Sequence, residues 1–323
     1  MTRVSRRTVL VGLAAWTACP SLAKAAWPEK PIKLIHGFPP GGPVDVVSRL
    51  LAEPLSAHLG QAVIVEAKPG ATGTTAAAEA ARAAPDGYTL LAVPGTYAGT
   101  AAMFRTLPYN PTDDFTFISS TAEFPLVIVT HRDSEFKSLA DVVRIAKARS
   151  APLQYGTAGN GSTMHLAMEL FAQRANVRLQ HIPYKGGMPA ITDLLGNRLD
   201  LVIDPPTALV EFVKDGRLRA LAVTGAERFF ALPDVLTMIE SGFPGLSVTS
   251  YQGIAAPAGL PAEIAAKLNQ AVTKALGDPG LIEKLKKVGN SPKPSTAEAY
   301  KAGVVADIER WKGVVESAHL AKI

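Results

Sequence analysis

The sequence predicts an α/β layered fold with largely parallel sheets, and three observations carry that expectation. Short runs rich in β-branched and aliphatic residues alternate with helical patterns along most of the chain. With 47% apolar and 19% charged residues over 323 positions, the chain can build two packed domains and is neither disordered nor fibrous. Two glycine-rich turns, Phe38-Pro39-Pro40-Gly41-Gly42-Pro43 and Thr157-Ala158-Gly159-Asn160-Gly161-Ser162-Thr163, each stand between a strand-like run and a helical pattern. That places both at the carboxyl ends of strands, where open α/β sheets hold their ligands.

The first 25 residues precede the fold. Arg6-Arg7 lead into an apolar stretch from Val9 to Trp16, and Ala23-Lys24-Ala25 offer small residues where a signal peptidase cuts. Export with cleavage after Ala25 is expected, by the general secretory route or, from Ser5-Arg6-Arg7-Thr8-Val9-Leu10, by the twin-arginine route. The stretch is shorter than the ~20 residues that span a bilayer. The mature chain, residues 26–323, is therefore expected to be soluble. Cys19, the only cysteine, falls in this leader, so the processed chain would hold no disulfide, thiolate metal site or thiol nucleophile. Of the net charge of +5, Arg3, Arg6, Arg7 and Lys24 supply four charges in a segment without acids. The nearly neutral remainder has no Lys/Arg cluster, which excludes nucleic acid as a partner.

Along the mature chain, strands are expected at Ile32–His36, Ala62–Glu66, Thr89–Val93, Leu126–Thr130, Gln154–Gly156, Leu199–Ile203 and Leu218–Val223. Ser138-Leu139-Ala140-Asp141 resembles a capping box, followed by Val142, Val143 and Ala146 at helical spacing. Pro261 suits a first helical turn ahead of Ile264, Leu268, Val272 and Leu276. A second capping box is expected at Ser295-Thr296-Ala297-Glu298, ahead of a buried stripe of Val304, Ile308, Trp311 and Val315. Asp86-Gly87 and Asp215-Gly216 each turn into an apolar strand, which suggests two similar halves.

The two glycine-rich turns suit an anion. A helix start carries unpaired N–H groups and partial positive charge, so two of them across a cleft receive an anionic group without a cation. In the first turn three prolines leave Gly41, Gly42, Val44 and Asp45 as donors, with Pro43 as first helical residue and Asp45 as the third, either capping the helix or accepting from the ligand. In the second, every residue from Thr157 to His165 keeps its N–H, Ser162 suits an N-cap, and His165 is structural or ligand-facing. Enzyme motifs are thin. There is no P-loop, His-Glu-x-x-His or nucleophile elbow, and Ser162 and His165 lack an evident third triad member. Glu66 could bind ribose hydroxyls, but the first turn is not Gly-x-Gly-x-x-Gly.

Further motifs occur in order: Asp45 and Arg49 after the first turn, Lys68-Pro69-Gly70-Ala71-Thr72-Gly73, Pro85-Asp86-Gly87-Tyr88-Thr89-Leu90-Leu91, Leu107-Pro108-Tyr109, His165-Leu166, Pro183-Tyr184-Lys185-Gly186 and Ala255-Ala256-Pro257-Ala258-Gly259. With them the chain resembles the Bug-type extracytoplasmic solute receptors of tripartite tricarboxylate transporters. The resemblance covers essentially all of the mature chain. It implies a type II-like periplasmic binding protein fold, with lobe 1 from 26–125 plus 249–323, lobe 2 from 126–248, and crossovers at Leu126 and Thr249–Gly253. It implies a periplasmic, non-enzymatic and monomeric protein, without cofactor or metal, that hands a mono-, di- or aromatic carboxylate to membrane transporter subunits. A secreted hydrolase using Ser162 and a ligand sensor for a signalling partner are the alternatives.

Carried over residue by residue, the ligand contacts would be Phe38, Pro39, Pro40, Gly42 and Asp45, then Thr72 and Gly73. The other lobe would supply Thr157, Ala158, Gly159, Ser162, Thr163 and His165. Asp204 falls where the family places a polar residue facing the cleft, or else it caps a turn. Thr96 and Tyr97 would read the far end of the ligand. Thr72, Asn160, Tyr251 and Pro205-Pro206 depart from the family's usual residues and bear on ligand identity rather than fold. Closure of the lobes on the ligand is the expected mechanism. Because no Lys or Arg occurs in Phe38–Val44 or Thr157–His165, binding is expected to depend weakly on salt.

Overall fold

The computed structural model describes residues 27–323, so the leader, its cleavage site and Cys19 lie outside the described residues. The first part of the chain runs β1 (Ile32–His36), α1 (Pro43–Leu59), β2 (Val63–Ala67), a 3-10 turn (Ala71–Gly73), α2 (Thr74–Ala81), β3 (Thr89–Pro94), α3 (Thr96–Met103) and β4 (Phe115–Pro125). The middle runs β5 (Val127–His131), α4 (Leu139–Ala148), β6 (Leu153–Thr157), α5 (Thr163–Ala175), β7 (Leu179–Pro183), α6 (Gly187–Leu195), β8 (Leu201–Asp204), α7 (Pro206–Lys214) and β9 (Leu218–Val223). The chain ends with β10 (Thr249–Pro257), α8 (Ala262–Leu276), α9 (Pro279–Lys287), β11 (Ser291–Pro292) and α10 (Ala297–Ser317).

The strands form two sheets, one in the order β11-β4-β10-β3-β1-β2 and one in the order β7-β6-β8-β5-β9. The α/β class matches the expectation, but the sheets are mixed rather than largely parallel. The β1/β2, β1/β3, β6/β7 and β6/β8 pairs are parallel, whereas β10 pairs antiparallel with β3 and β4, and β5 with β8 and β9. The cause is connectivity. The chain leaves the first sheet from β4 into β5 and returns from β9 into β10, so the outgoing and returning strands run in opposite directions beside each other. β4 and β7 escaped the sequence reading because neither is an apolar run. The two Asp-Gly turns do feed strands, but β3 lies inside its sheet and β9 at an edge, so this echo is not a topological repeat.

Local signals set the helix ends. Ser138 Oγ accepts from the Asp141 N–H at 3.2 Å, as its box predicts. At α10 the cap is Thr296, accepting from Ala299 N–H, one residue later than the box suggested. The stripe of Val304, Ile308, Trp311 and Val315 is buried. It joins a core that runs continuously behind both sheets, through Phe117, Ile128, Phe171 and Leu201. Separate apolar clusters fill the outer faces, under α1 and α8 in one sheet and α6 and α7 in the other. Burying side chains of this size contributes roughly 1.5–3 kcal/mol each, so the two halves share their strongest packing at the back and are held there. Thr224 ties the passages together: its Oγ1 accepts from Leu126 N–H (2.8 Å) and donates to the Val248 carbonyl (2.6 Å).

Candidate functional site

Opposite the shared core, the sheets face each other across a cavity of about 300 Å³. Five strands, β1, β3, β6, β7 and β8, end at it, and each is followed by a helix that begins there. Its wall therefore carries Gly42, Pro43 and Val44 from the start of α1, Thr96 from α3, Met164 from α5, Gly187 and Met188 from α6, and Pro205 just ahead of α7. The sequence pointed to two helix starts facing a cleft; the fold brings five. The first N–H groups of each have no partner within the helix, and each start carries roughly half a positive charge.

The first turn is held by ionised groups. Asp45, third in α1, is buried, with Oδ2 accepting from Gly41 N–H and Arg49 Nε, both at 2.9 Å, and Oδ1 meeting His36 Nε2 at 2.9 Å. Burial pushes its carboxyl up, but the hydrogen bonds from Arg49, Gly41 and His36 outweigh it and hold the pKa at about 2. Burial keeps His36 below its ordinary value against the pull of Asp45. His36 is therefore a neutral ring that donates from Nε2 to Asp45 and accepts the Phe38 N–H at Nδ1. Two donors expected for the ligand are thus consumed: Gly41 N–H by Asp45, and Gly42 N–H by the Pro39 carbonyl at 3.3 Å.

The second turn is held mainly by hydroxyls and imidazoles, with Glu169 Oε1 3.9 Å from His165 Nε2. Ser162 caps α5, its Oγ accepting from His165 N–H at 3.2 Å. His165 Nδ1 accepts the Gly161 N–H, and its ring stacks on His181 with centroids 3.9 Å apart and planes 14° from parallel. Thr157 Oγ1 meets His181 Nε2 at 2.7 Å and accepts from Gly159 N–H. Desolvation lowers His165 to about 4, and desolvation with the neighbouring ring lowers His181 to about 3. The imidazole of His165 does not address Ser162, so the Ser162–His165 pair makes no nucleophile and base. Glu66 ion-pairs with Lys33 at 3.1 Å and is not on the cavity wall.

Of the sequence-predicted contacts, Phe38, Pro39, Pro40, Gly42, Thr96, Ala158 and Asp204 line the cavity. Asp45, Thr157, Gly159, Ser162, Thr163 and His165 stand behind the wall and shape the turns. Thr72, Gly73 and Tyr97 border an adjoining crevice of about 10 Å³, which shares Phe38 and Pro94 with the cavity and is by itself too small for an organic acid. Tyr97 donates to the Pro111 carbonyl at 2.8 Å and packs on Tyr109 and Phe115, so its hydroxyl and ring are engaged in the core. The halves already meet: a Cβ on Gly159 would lie 3.0 Å from Thr72 Oγ1, and one on Gly186 3.2 Å from Pro39 Cγ. Asp204 caps nothing, since Pro205 is the N-cap of α7 and no side chain bonds there. Its Oδ2 is buried without a hydrogen-bond partner among the described residues.

The wall also includes Phe124, Lys185, Gly187, Met188, Ser250 and Gln252, none singled out as contacts from sequence. Lys185 sits exposed at the mouth, so the site is not free of cations. It lies in Pro183-Tyr184-Lys185-Gly186, outside the two glycine-rich turns whose lack of Lys and Arg underlies the expected weak salt dependence. Among the described residues no group of His, Cys, Asp and Glu is arranged to hold a metal ion, and no helix is long and apolar enough to cross a membrane.

Comparison with known proteins comes to the same place. The sequence profile described as tripartite tricarboxylate transporter family receptor matches residues 47–320. The structure is similar to that of the periplasmic binding protein BugD, with a TM-score of 0.86 and 32% identity over 92% of this chain and 100% of that one. It is similar to R. palustris Rpa4515 solved with adipate, with a TM-score of 0.88 and 34% identity over 92% and 100%. It is also similar to MatC of Rhodopseudomonas palustris with bound malate, with a TM-score of 0.84 and 31% identity over 90% and 100%.

Proposed function

The chain belongs to the tripartite tricarboxylate transporter receptor family of solute-binding proteins, and we propose that its cavity takes up a small organic carboxylate for delivery to a membrane transporter. The convergence of five helix starts on one cavity carries this reading, because their unpaired N–H groups and summed dipoles favour an anion. The ligands of Rpa4515 and MatC, adipate and malate, agree with it. Residues 26–125 with 249–323 act as one lobe and 126–248 as the other, turning about the crossovers at Leu126 and Thr249–Gly253. A ligand touching both lobes completes its contacts only when they close, which stabilises the closed form. Both walls of the cavity come from one chain, so a monomer suffices. Cleavage after Ala25 and release into the periplasm fit the family's periplasmic members. No bond is made or broken, since Ser162 is spent on capping α5.

Thermal denaturation of the purified protein with mono-, di- and aromatic carboxylates tests the reading. A true ligand raises the melting temperature progressively, by about 2.7 kcal/mol of stabilisation at a hundred times its Kd. If no acid shifts the melt, or if esters are turned over in a manner that Ser162→Ala abolishes, the receptor reading fails.

A further inference from the structure

The cavity wall holds one acid, and among the described residues nothing pairs with it. Asp204 ends β8 with 1% of its surface exposed. Its neighbours bring no charge: Val127 of β5 is its strand partner, Gly187 opens α6, and Pro205 precedes α7. The carboxyl lies so near the α6 start that a Cβ on Gly187 would fall 1.7 Å from Oδ2, which is why only glycine fits there. Lys185 is the only other titratable residue on the wall, and it is exposed at the mouth. Desolvation alone drives the Asp204 pKa up, to about 8. At neutral pH the group is therefore an un-ionised carboxyl, a hydrogen-bond donor facing a cavity otherwise ringed by positive helix ends.

We propose that Asp204 donates a hydrogen bond to the far end of the ligand, so that the acid bound here carries an acceptor at that end, a second carboxylate or an amide or keto oxygen, and not an amine. The inference rests on the carboxylate reading above and narrows it. A ligand ammonium could pair with an ionised Asp204, but it would then face the N-terminus of α6 and the other helix starts, whose dipoles repel cations. An acceptor meets a donor from Asp204 and the same dipoles with the right sign. Above pH 8 the carboxyl ionises and the two oxygens repel, so affinity falls there.

Calorimetric titration with four six-carbon probes separates these cases: adipate, its monoamide, hexanoate and 6-aminohexanoate. Adipate and the monoamide should bind at least tenfold more tightly than hexanoate at pH 7, with 6-aminohexanoate no tighter than hexanoate. Adipate affinity should hold from pH 6 to 7.5 and then fall by up to about tenfold per unit above pH 8, the slope for loss of one proton. Asp204→Asn, which keeps a donor, should stay within about threefold at pH 7 and lose the fall, while Lys185→Met should retain it. Tighter binding of 6-aminohexanoate than of hexanoate, affinity rising above pH 8, or a tenfold loss in Asp204→Asn at pH 7 overturns the inference and leaves the carboxylate reading standing. If none of the three amine-free acids binds, the carboxylate reading itself falls and takes this one with it.

Discussion

The two glycine-rich turns face the same cavity and begin helices in the same way, yet they are stiffened by opposite electrostatics. Around the first, a buried aspartate stays ionised because Arg49, Gly41 and His36 all donate to it. Around the second, two stacked imidazoles and the hydroxyls of Thr157 and Ser162 share hydrogen bonds, while the Glu169 carboxyl stands 3.9 Å from His165 Nε2 and accepts from Tyr155. The difference follows from depth. Arg49 has 55% of its side chain exposed and can bring charge to Asp45 from the surface at little desolvation cost. The second turn lies under Tyr155 and α5, with no basic side chain within bonding reach, so neutral hydrogen bonding is the only economical way to hold it.

The largest expected effect breaks the first brace. Asp45→Ala strips three donors of their acceptor and should lower stability by about 3 kcal/mol in urea unfolding, with at least tenfold weaker ligand binding. A variant as stable as the parent would mean that charge does not hold this turn.

Acid separates the turns next. His165 and His181 have folded pKa values near 4 and 3, below the ordinary 6.5, so the unfolded chain takes up protons first as pH falls. Their contribution is complete above pH 6.5 and drains away toward pH 3, on the order of 3 kcal/mol for each ring. Asp45, held at about 2 against 3.8, keeps its contribution above pH 3.8 and loses it only toward pH 2. Urea midpoints across pH 3–8 should show the upper loss in the parent and a flatter profile in His181→Gln; an unchanged profile would remove the histidines from the account.

Thr157→Val is the milder test of the second brace. It deletes the oxygen shared by His181 and the Gly159 N–H and should cost about 1–2 kcal/mol, read by thermal melting. Smallest is Arg49→Met, which removes a half-exposed partner of Asp45 and should cost under about 1 kcal/mol, the difference from the parent shrinking in 1 M salt. A salt-insensitive cost would show that Arg49 acts through packing.

Much of this molecule could be read directly from the chain, for reasons that are local. Pro43 at the first helical position, Ser162 as a cap, and the Asp-Gly turns before strands depend on the backbone within a few residues, so pattern reveals them. β4 and β7 were hidden because an alternating or half-exposed strand has no apolar run to mark it. In the site, Phe38 and Asp204 were expected from the family resemblance and Thr96 from its place after a strand, and all three line the cavity. Phe124, Gly187, Ser250 and Gln252 were not, because an apolar or small polar residue reads the same whether it meets a core or a cavity.

Sequence by itself determined the α/β class, the family, and which two turns would start helices at the cleft, since caps, glycines and periodicity act at short range. Only the tertiary structure decided that five helix starts share one cavity, that Asp45 and His165 brace the turns rather than line the wall, and that Asp204 stands there without a partner. Those facts depend on which strands end side by side and on how far each group is from water. Both are set by contacts between residues remote in the chain, and no local pattern encodes them.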